Sequence, residues 1–317
     1  MKILIIGILG QDGTILTNLL KNDHKIFGVT HKNSLSEKIL AFENKNKIKI
    51  ESLDLKDYDV CEDLIKRILP DVIVNFAGLT NIFSPWDDQI KLVDQNIKIP
   101  LNLLNGIKKV DDRIFFFQAS SSLMFGQSKE TEITEFSELS PIYPYGLSKS
   151  FIHGLMNEYR ENLNLNCSSG IFFNHDSYYR GENFLTKKIS IFLKKLQEGE
   201  KNKLYLGNLN GFVDISHAYD FMSGVKLIIE NKISNDFIFS SGNLIKLYDL
   251  VKLFFDQENL NMDDYVVFDQ NYIRKKQIKI YGNNQKLISI GWKPKFNVEL
   301  LVKDMLKMEK NYGNTIS

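Results

Sequence analysis

The chain opens with five residues, Lys2-Ile3-Leu4-Ile5-Ile6, that run without a break into Gly7-Ile8-Leu9-Gly10-Gln11-Asp12-Gly13. Its Ile3–Ile6 part, apolar at every position and ended by glycine, reads as a strand buried on both faces. Three glycines spaced by three then open a helix. The first permits a tight turn, the second lets backbone approach a pyrophosphate, and the third lets the helix pack closely on the strand. The phosphates meet unpaired N–H groups and the positive end of the helix dipole. Spacing alone is weak evidence, but at this place in a strand–turn–helix it predicts a dinucleotide site at Gly7, Gly10, Gln11, Asp12 and Gly13. A plain strand-to-helix turn is the competing reading.

The rest of the first half keeps the same rhythm. Strands are expected at Lys25–Val29, Ile48–Leu53, Asp71–Phe76 and Ile114–Gln118. Helices are expected at Gly13–Lys21, Asp57–Ile68 (stopped by Pro70) and Gln89–Lys108. Strands alternating with helices predict a parallel sheet covered on both faces. After Cys167 the pattern loosens. A sixth strand is expected at Gly170–Asn174, a short piece at Leu204–Leu209, and helices at Lys187–Gln197, His217–Glu230, Leu247–Gln257 and Val298–Glu309. The fold class is therefore α/β: a Rossmann-type, doubly wound parallel sheet with a smaller C-terminal α/β substrate lobe. Residues 1–170 form the dinucleotide-binding part. Residues 171–317 are mainly the substrate lobe, with some segments returning to the sheet.

Composition excludes several functions. The 317 residues carry 40 basic and 39 acidic side chains, a net charge of +1. That balance makes no long-range field for nucleic acid or an anionic membrane surface. No apolar stretch is long enough to cross a bilayer, and the N-terminus lacks the apolar core and cleavage site of a signal peptide. Two distant cysteines, Cys61 and Cys167, make neither a disulfide framework nor a zinc pattern, and the expected location is the cytoplasm. His24, His31, His153, His175 and His217 have no ligand-like spacing, so no metal is expected.

Cofactor preference is set where the second strand ends. An acid there holds a ribose 2′-hydroxyl and favours NAD; a base holds a 2′-phosphate and favours NADP. Here the stretch is Val29-Thr30-His31-Lys32-Asn33-Ser34, with no acid. His31 and Lys32 favour NADP over NAD, although Lys32 also reads as a solvated lysine in a lysine-rich chain. Asp54 is a candidate for the adenine amino group, with a turn-capping aspartate as the alternative. Leu55 and Ala77, after the third and fourth strands, join the cofactor set, together with Tyr145 and Lys149, whose ammonium can also bond the nicotinamide ribose.

The chemistry is expected at Tyr145-Gly146-Leu147-Ser148-Lys149. Residues four apart share a helix face, and an ammonium beside a phenol favours the phenolate. Such a tyrosine can exchange a proton with a carbinol while hydride passes to or from a nicotinamide. The spacing recurs at Tyr248/Lys252 and Tyr272/Lys276. Only Tyr145 opens a helix after a strand that ends in hydroxyls, Gln118-Ala119-Ser120-Ser121-Ser122, so the other two read as surface pairs.

These segments resemble the extended short-chain dehydrogenase/reductases, and among them the GDP-mannose 4,6-dehydratase branch. The resemblance spans nearly the whole chain. It rests on residues 7–13, 118–122 and 143–149, and on Gly170-Ile171-Phe172-Phe173-Asn174-His175-Asp176-Ser177. It continues in Arg180-Gly181-Glu182-Asn183-Phe184, residues 203–209 and residues 291–295. It implies a catalytic triad of Ser121, Tyr145 and Lys149. It implies substrate contacts from Thr80, Ser122, Asn174, Lys188, Asn208 and Arg274, with a GDP-linked sugar as substrate and a homodimer or homotetramer as assembly. Lys188 and Arg274 suit a diphosphate in a chain of near-zero net charge; solvated lysine and loop arginine are the alternatives. Asn96 matches an asparagine expected to be structural.

Two departures matter. The dehydratases carry a glutamate two residues after the catalytic hydroxyl, where it removes water across C5 and C6 once C4 is a ketone. Here that residue is Leu123, which cannot transfer a proton. The family's arginine before an aspartate is replaced by Val213, before Asp214. The expected chemistry is therefore hydride transfer at C4: keto formation, keto reduction or epimerisation. Full dehydration would need a substitute such as Glu130, Glu132 or Glu135. A binding protein that kept the fold is the reading from another class; retention of both Tyr145 and Lys149 argues against it.

Overall fold

A computed structural model of the chain describes residues 1–31, 36–80, 85–268 and 278–312. Seven parallel strands form one sheet. They are β1 (Lys2–Ile6), β2 (Lys25–His31), β3 (Ile50–Leu53), β4 (Val72–Asn75), β5 (Phe115–Ser121), β6 (Cys167–Phe172) and β7 (Asp236–Phe239). Their spatial order is β7-β6-β5-β4-β1-β2-β3, so the direction of winding reverses between β1 and β4. Helices α1 (Gln11–Leu20), α2 (Ser36–Asn46), α3 (Tyr58–Ile68), α4 (Trp86–Val110) and α5 (Pro144–Glu161) follow β1 to β5 in turn.

Alternate residues explain why these strands are apolar throughout. Ile3 and Ile5 of β1, Val72 and Val74 of β4, and Phe115 and Phe117 of β5 enter one core cluster. Leu4 and Ile6, Ile73, and Phe116 enter another on the opposite face. Successive side chains of a strand point to opposite faces, so every position must be apolar where both faces are covered. The first cluster packs under α1 and under α7 (Ala218–Glu230); the second packs under α3, α4 and α5. Burying each large side chain of this kind contributes about 1.5–3 kcal/mol.

A third cluster lies in the C-terminal half. It joins α6 (Leu185–Gln197), α8 (Leu247–Gln257) and α10 (Val298–Tyr312) to short strands at Leu204–Leu206 and Val266–Phe268. A further helix, α9, spans Gln285–Ser289. Among the described residues no helix is long and apolar enough to cross a membrane.

Most expected elements are present, with shifted ends. Asp57 precedes α3 as its cap, accepting from the Asp59 and Val60 amides at 3.0 and 3.4 Å. The sixth strand differs from expectation. It begins at Cys167, stops at Phe172, and yields to a separate strand, Asn174–Asp176, paired with Ile215–His217. Phe173 N still bonds Phe239 O of the outer strand β7, the partner of Ser169–Phe172, and from Asn174 the chain changes partner to Ile215–His217. Helix α2 and strand β7 are additions to the expected list.

Candidate active site

Glycine geometry at the β1–α1 turn fits the predicted cradle. Gly7 has φ +82°, which side-chain-bearing residues rarely adopt, and a Cβ there would lie 3.0 Å from Ala77 N. A Cβ on Gly13 would lie 2.5 Å from Gly7 O and 2.6 Å from Ile8 Cα. Gly10 caps α1 without a side-chain acceptor, so the first-turn N–H groups are left for a ligand. The donors, the dipole and the absence of side chains suit a pyrophosphate.

Gln11 and Asp12 do something the sequence reading did not anticipate. Their side chains turn towards residues 175–177. Gln11 Nε2 donates to His175 O at 3.0 Å, and Ser177 Oγ donates to Gln11 Oε1 at 2.9 Å. His175 Nε2 lies 3.1 Å from both Asp12 carboxylate oxygens. The His175 ring is fixed from its other side by Phe173 O at 2.8 Å and stacks on Phe221. Burial pushes the Asp12 carboxyl up, but the His175 ring and the Arg180 charge outweigh it and hold the group below the usual carboxylate range. Both side chains are engaged with residues 175–177, while the backbone N–H groups of Gln11 and Asp12 open α1.

The other cofactor candidates line the carboxyl ends of the strands. His31 is the exposed last residue of β2, and Lys32 lies outside the described residues. Asp54 Oδ1 accepts from Lys56 N at 3.2 Å, the turn-capping role named above as its alternative. Leu55 is buried, and its carbonyl accepts from Asn102 Nδ2 at 3.1 Å. Ala77 N donates to Asn75 Oδ1 at 3.1 Å. Asn75 Nδ2 donates to Gln118 Oε1 at 2.9 Å, and Gln118 Nε2 donates to Ala119 O at 2.7 Å. Asn75 and Gln118 are fully buried, so this chain of hydrogen bonds rigidly joins the ends of β4 and β5.

Ser121 is the last residue of β5, and Tyr145 lies in the first turn of α5, whose Pro144 sits where a proline's missing N–H is tolerated. Lys149 follows one turn later, and its Nζ donates to Ala119 O at 2.9 Å and stands 5.7 Å from the Tyr145 ring centre. A Cβ on Gly78 would lie 3.8 Å from that Nζ and 2.8 Å from Asn96 Oδ1. Asn96 is structural, as expected, gripping Leu79 N and Leu79 O at 2.9 and 3.0 Å. Strand ends β4 and β5 and the start of α5 thus converge on one place.

Electrostatics there correct one expectation. Lys149 does not draw the Tyr145 phenol down. Burial holds Tyr145 above its ordinary range, and hydrogen bonding to Ser121 and the Arg180 charge only partly offset it. Lys149 itself is pushed down to about 8 by burial. Both groups are enclosed, and the lysine's hydrogen bond goes to a carbonyl. Arg180 is the residue that sequence reasoning quoted but gave no role. Its Nε pairs with Asp176 at 2.8 Å, its guanidinium lies 3.6 Å over the Phe184 ring, and its charge acts on Asp12 and Tyr145 together.

The predicted substrate residues are less concentrated. Ser122 is buried beside Ser121, and Thr80 is exposed beyond β4. Asn174 Nδ2 donates to Asp214 O at 3.1 Å. Lys188, on α6, donates to Tyr205 O at 3.0 Å and lines a cavity of about 520 Å³ with Phe192, Lys195 and Leu204. Asn208 Oδ1 caps a local turn at Asn210 N, 2.8 Å away. Arg274 lies outside the described residues. Asp214 is buried and accepts from Ser241 N at 2.8 Å and Gly282 N at 3.1 Å; burial holds its carboxyl above the ordinary range.

Of the competing Tyr/Lys pairs, Tyr248 is exposed and Lys252 pairs with Asp256 at 2.6 Å, a surface arrangement. Tyr272 and Lys276 lie outside the described residues.

The chain is similar to known proteins over nearly its whole length. The family described as GDP-mannose 4,6 dehydratase matches residues 4–305. GDP-mannose 4,6 dehydratase 2 of Arabidopsis thaliana is 31% identical, covering 96% of this chain and 85% of its own. GDP-mannose 4,6 dehydratase of Dictyostelium discoideum is 26% identical, over 98% of this chain and 96% of its own. The fold is shared with dTDP-glucose 4,6-dehydratase from Bacillus anthracis in complex with NAD (TM-score 0.85, 19% identity, covering 99% and 98% of the two chains). It is also shared with RMD from Pseudomonas aeruginosa complexed with NADPH (TM-score 0.80, 20% identity, 98% and 99%). Fold and relatives together define an enzyme of the extended short-chain dehydrogenase/reductase class, one that modifies nucleotide sugars with a nicotinamide cofactor. The chain belongs to the GDP-mannose 4,6-dehydratase family.

Proposed function

We propose that the chain moves hydride at C4 of a GDP-linked hexose, with NADP preferred over NAD. One observation carries this reading: Ser121, Tyr145 and Lys149 are buried together where β4, β5 and α5 meet, and Leu123 stands where the relatives' acid/base is expected. Tyr145 exchanges the proton of the C4 oxygen, Ser121 holds that oxygen, and Lys149 sets the local charge. Gly7, Gly10 and Gly13 hold the dinucleotide's phosphates, with Asp54, Leu55 and Ala77 along the strand ends. A bound nicotinamide supplies or accepts the hydride. His31 and Lys32, with no acid beside them, support the preference for a 2′-phosphate. Thr80, Ser122, Asn174, Lys188, Asn208 and Arg274 serve the sugar and its diphosphate. Residues 1–170 serve mainly the dinucleotide and 171–317 mainly the nucleotide sugar.

Dehydration is disfavoured on the same site. The three glutamates named as substitutes for the missing one have other partners: Glu130 accepts from Ser137 Oγ at 2.6 Å, Glu132 from Asn283 Nδ2 at 2.9 Å, and Glu135 from Ile238 N at 3.0 Å. The test is incubation with GDP-mannose and either cofactor, followed by NMR of the sugar. A new C6 methyl signal refutes the loss of dehydration, and C4 turnover that survives Tyr145→Phe refutes the mechanism.

A cytoplasmic homo-oligomer completes the proposal. Helices α4 and α5 pack side by side. Trp86 and Ile90 on the first, and Leu147 and Phe151 on the second, are 51–72% exposed at i, i+4 spacing. Apolar pairs on two adjacent helices suit a second copy presenting the same face.

A further inference from the structure

Lys149 has one hydrogen-bond partner among the described residues, and that partner is shared. The Ala119 carbonyl accepts from Lys149 Nζ at 2.9 Å and from Gln118 Nε2 at 2.7 Å. Gln118 cannot turn away. Asn75 and Gln118 are register partners on β4 and β5, and both are fully buried. The Ala77 N–H can only donate, so Asn75 must face it with Oδ1, at 3.1 Å. Asn75 Nδ2 then donates to Gln118 Oε1 at 2.9 Å, and Gln118 is left with its N–H group towards Ala119 O. One backbone N–H thus sets the direction of two side-chain amides. The positive end of the second points at the oxygen that holds the ammonium.

Two donors on one oxygen oppose each other. Each draws on the same electron density, and the amide N–H presents positive charge to the ammonium across the oxygen. A hydrogen bond to the charged form favours that form, so a weaker bond favours it less. We propose that Gln118, oriented by Asn75, is a positioning residue for Lys149: its N–H occupies the Ala119 carbonyl and loosens that carbonyl's hold on the ammonium. The inference rests on the place given to Lys149 in the site and adds what sets its charge. Burial already pushes Lys149 down to about 8. Tyr145 stands one turn back on α5, and the charges of Asp12 and Arg180 act on that tyrosine. His153, one turn further on, lies 3.8 Å from Asp236. From β4, β5 and α4 the side chains nearby are the neutral Asn75, Gln118 and Asn96. A group that passes protons works best when it titrates near the working pH, and the shared carbonyl helps keep Lys149 there.

The test is a carbon-13 NMR titration of the chain labelled at lysine Cε, without cofactor or sugar. The Lys149 signal is the one that titrates at about 8 and is missing from Lys149→Arg. Gln118→Met removes the amide N–H at similar length and should raise that midpoint by about half a pH unit, roughly threefold in proton affinity. Looser packing would also raise it, by admitting water, so a rescue variant separates the two causes. A neutral imidazole has one N–H donor and one acceptor nitrogen, and Gln118→His should return the midpoint to that of the parent. A midpoint unmoved or lowered by Gln118→Met, or raised as much by Gln118→His, overturns the proposal. Should Gln118→Met fail to fold, Gln118→Glu carries the test, because it keeps the shape, still accepts from Asn75 and offers no N–H. A rise of about one to two pH units is then expected, and no rise overturns the proposal. The titration is independent of the C4 reaction: a midpoint that moves as expected in a chain without C4 turnover removes the C4 reading and leaves this one standing.

Discussion

Replacing Lys149 by methionine should end catalysis and make the folded chain more stable. The lysine is 7% exposed, and burial takes its ammonium from the ordinary 10.5 down to about 8. At roughly 1.4 kcal/mol per pH unit, that fall corresponds to about 3 kcal/mol of destabilisation at neutral pH. The sign runs as follows for a base lowered on folding. Below about 8 both states hold the proton and the cost is fully present. Between about 8 and 10.5 the unfolded chain keeps a proton that the folded chain has shed, so stability rises with pH. Methionine has similar length, no charge and a shape that fits irregular space. It loses the hydrogen bond to Ala119 O, yet that carbonyl keeps its bond from Gln118 Nε2 at 2.7 Å. The net gain should be about 1–3 kcal/mol at pH 7, less at pH 10. Urea unfolding without added cofactor, followed by circular dichroism and by the fluorescence of buried Trp292, measures it. A variant no more stable than the parent at pH 7, or a difference that grows with pH, would refute the reasoning.

Three further outcomes are expected. Gly13→Ala must move backbone, because its Cβ would meet Gly7 O at 2.5 Å; it should cost about 1–3 kcal/mol in thermal melts and weaken NADPH binding in a fluorescence titration. Arg160 grips both oxygens of Asp236 at 2.9 Å with both side chains largely buried, so Arg160→Leu should cost about 3 kcal/mol in urea. Leu147→Lys with Phe151→Glu should leave thermal stability within about 0.5 kcal/mol but shift sedimentation to the monomer; an unchanged sedimentation coefficient removes α5 from the interface.

What the sequence reveals here follows from how local each signal is. Strand β1, its glycine turn and the helix behind it are dictated by consecutive residues, and β1 and α8 occur at the residues expected. Strand β7 has only four residues, and it becomes a strand because Cys167–Phe172 offers an edge to pair with. Helix α2 has no strong apolar stripe to announce it. Ser121, Tyr145 and Lys149 are legible because a strand end and a helix start are adjacent in sequence as well as in space. The pairing of Asp12 with His175 spans 163 residues, and no periodicity within either segment encodes it. The direction of the Tyr145 shift was missed for a related reason. Spacing places the lysine, but enclosure decides the charge, and enclosure comes from distant parts of the chain.

The tie between Gln11, Asp12 and residues 175–177 has a thermodynamic consequence. If the glycine turn and the Asn174–Asp176 strand open as one cooperative unit, a ligand on the first must slow amide hydrogen exchange in the second. The amides of His175 and Asp176, and of their partners Ser216 and His217, should then gain protection when NADPH is added, although those residues belong to the half assigned to the sugar nucleotide. Dinucleotide binding would thus lower the conformational entropy still to be lost when the second substrate arrives. An ordered addition, cofactor first, would follow from four hydrogen-bonded side chains and no moving domain.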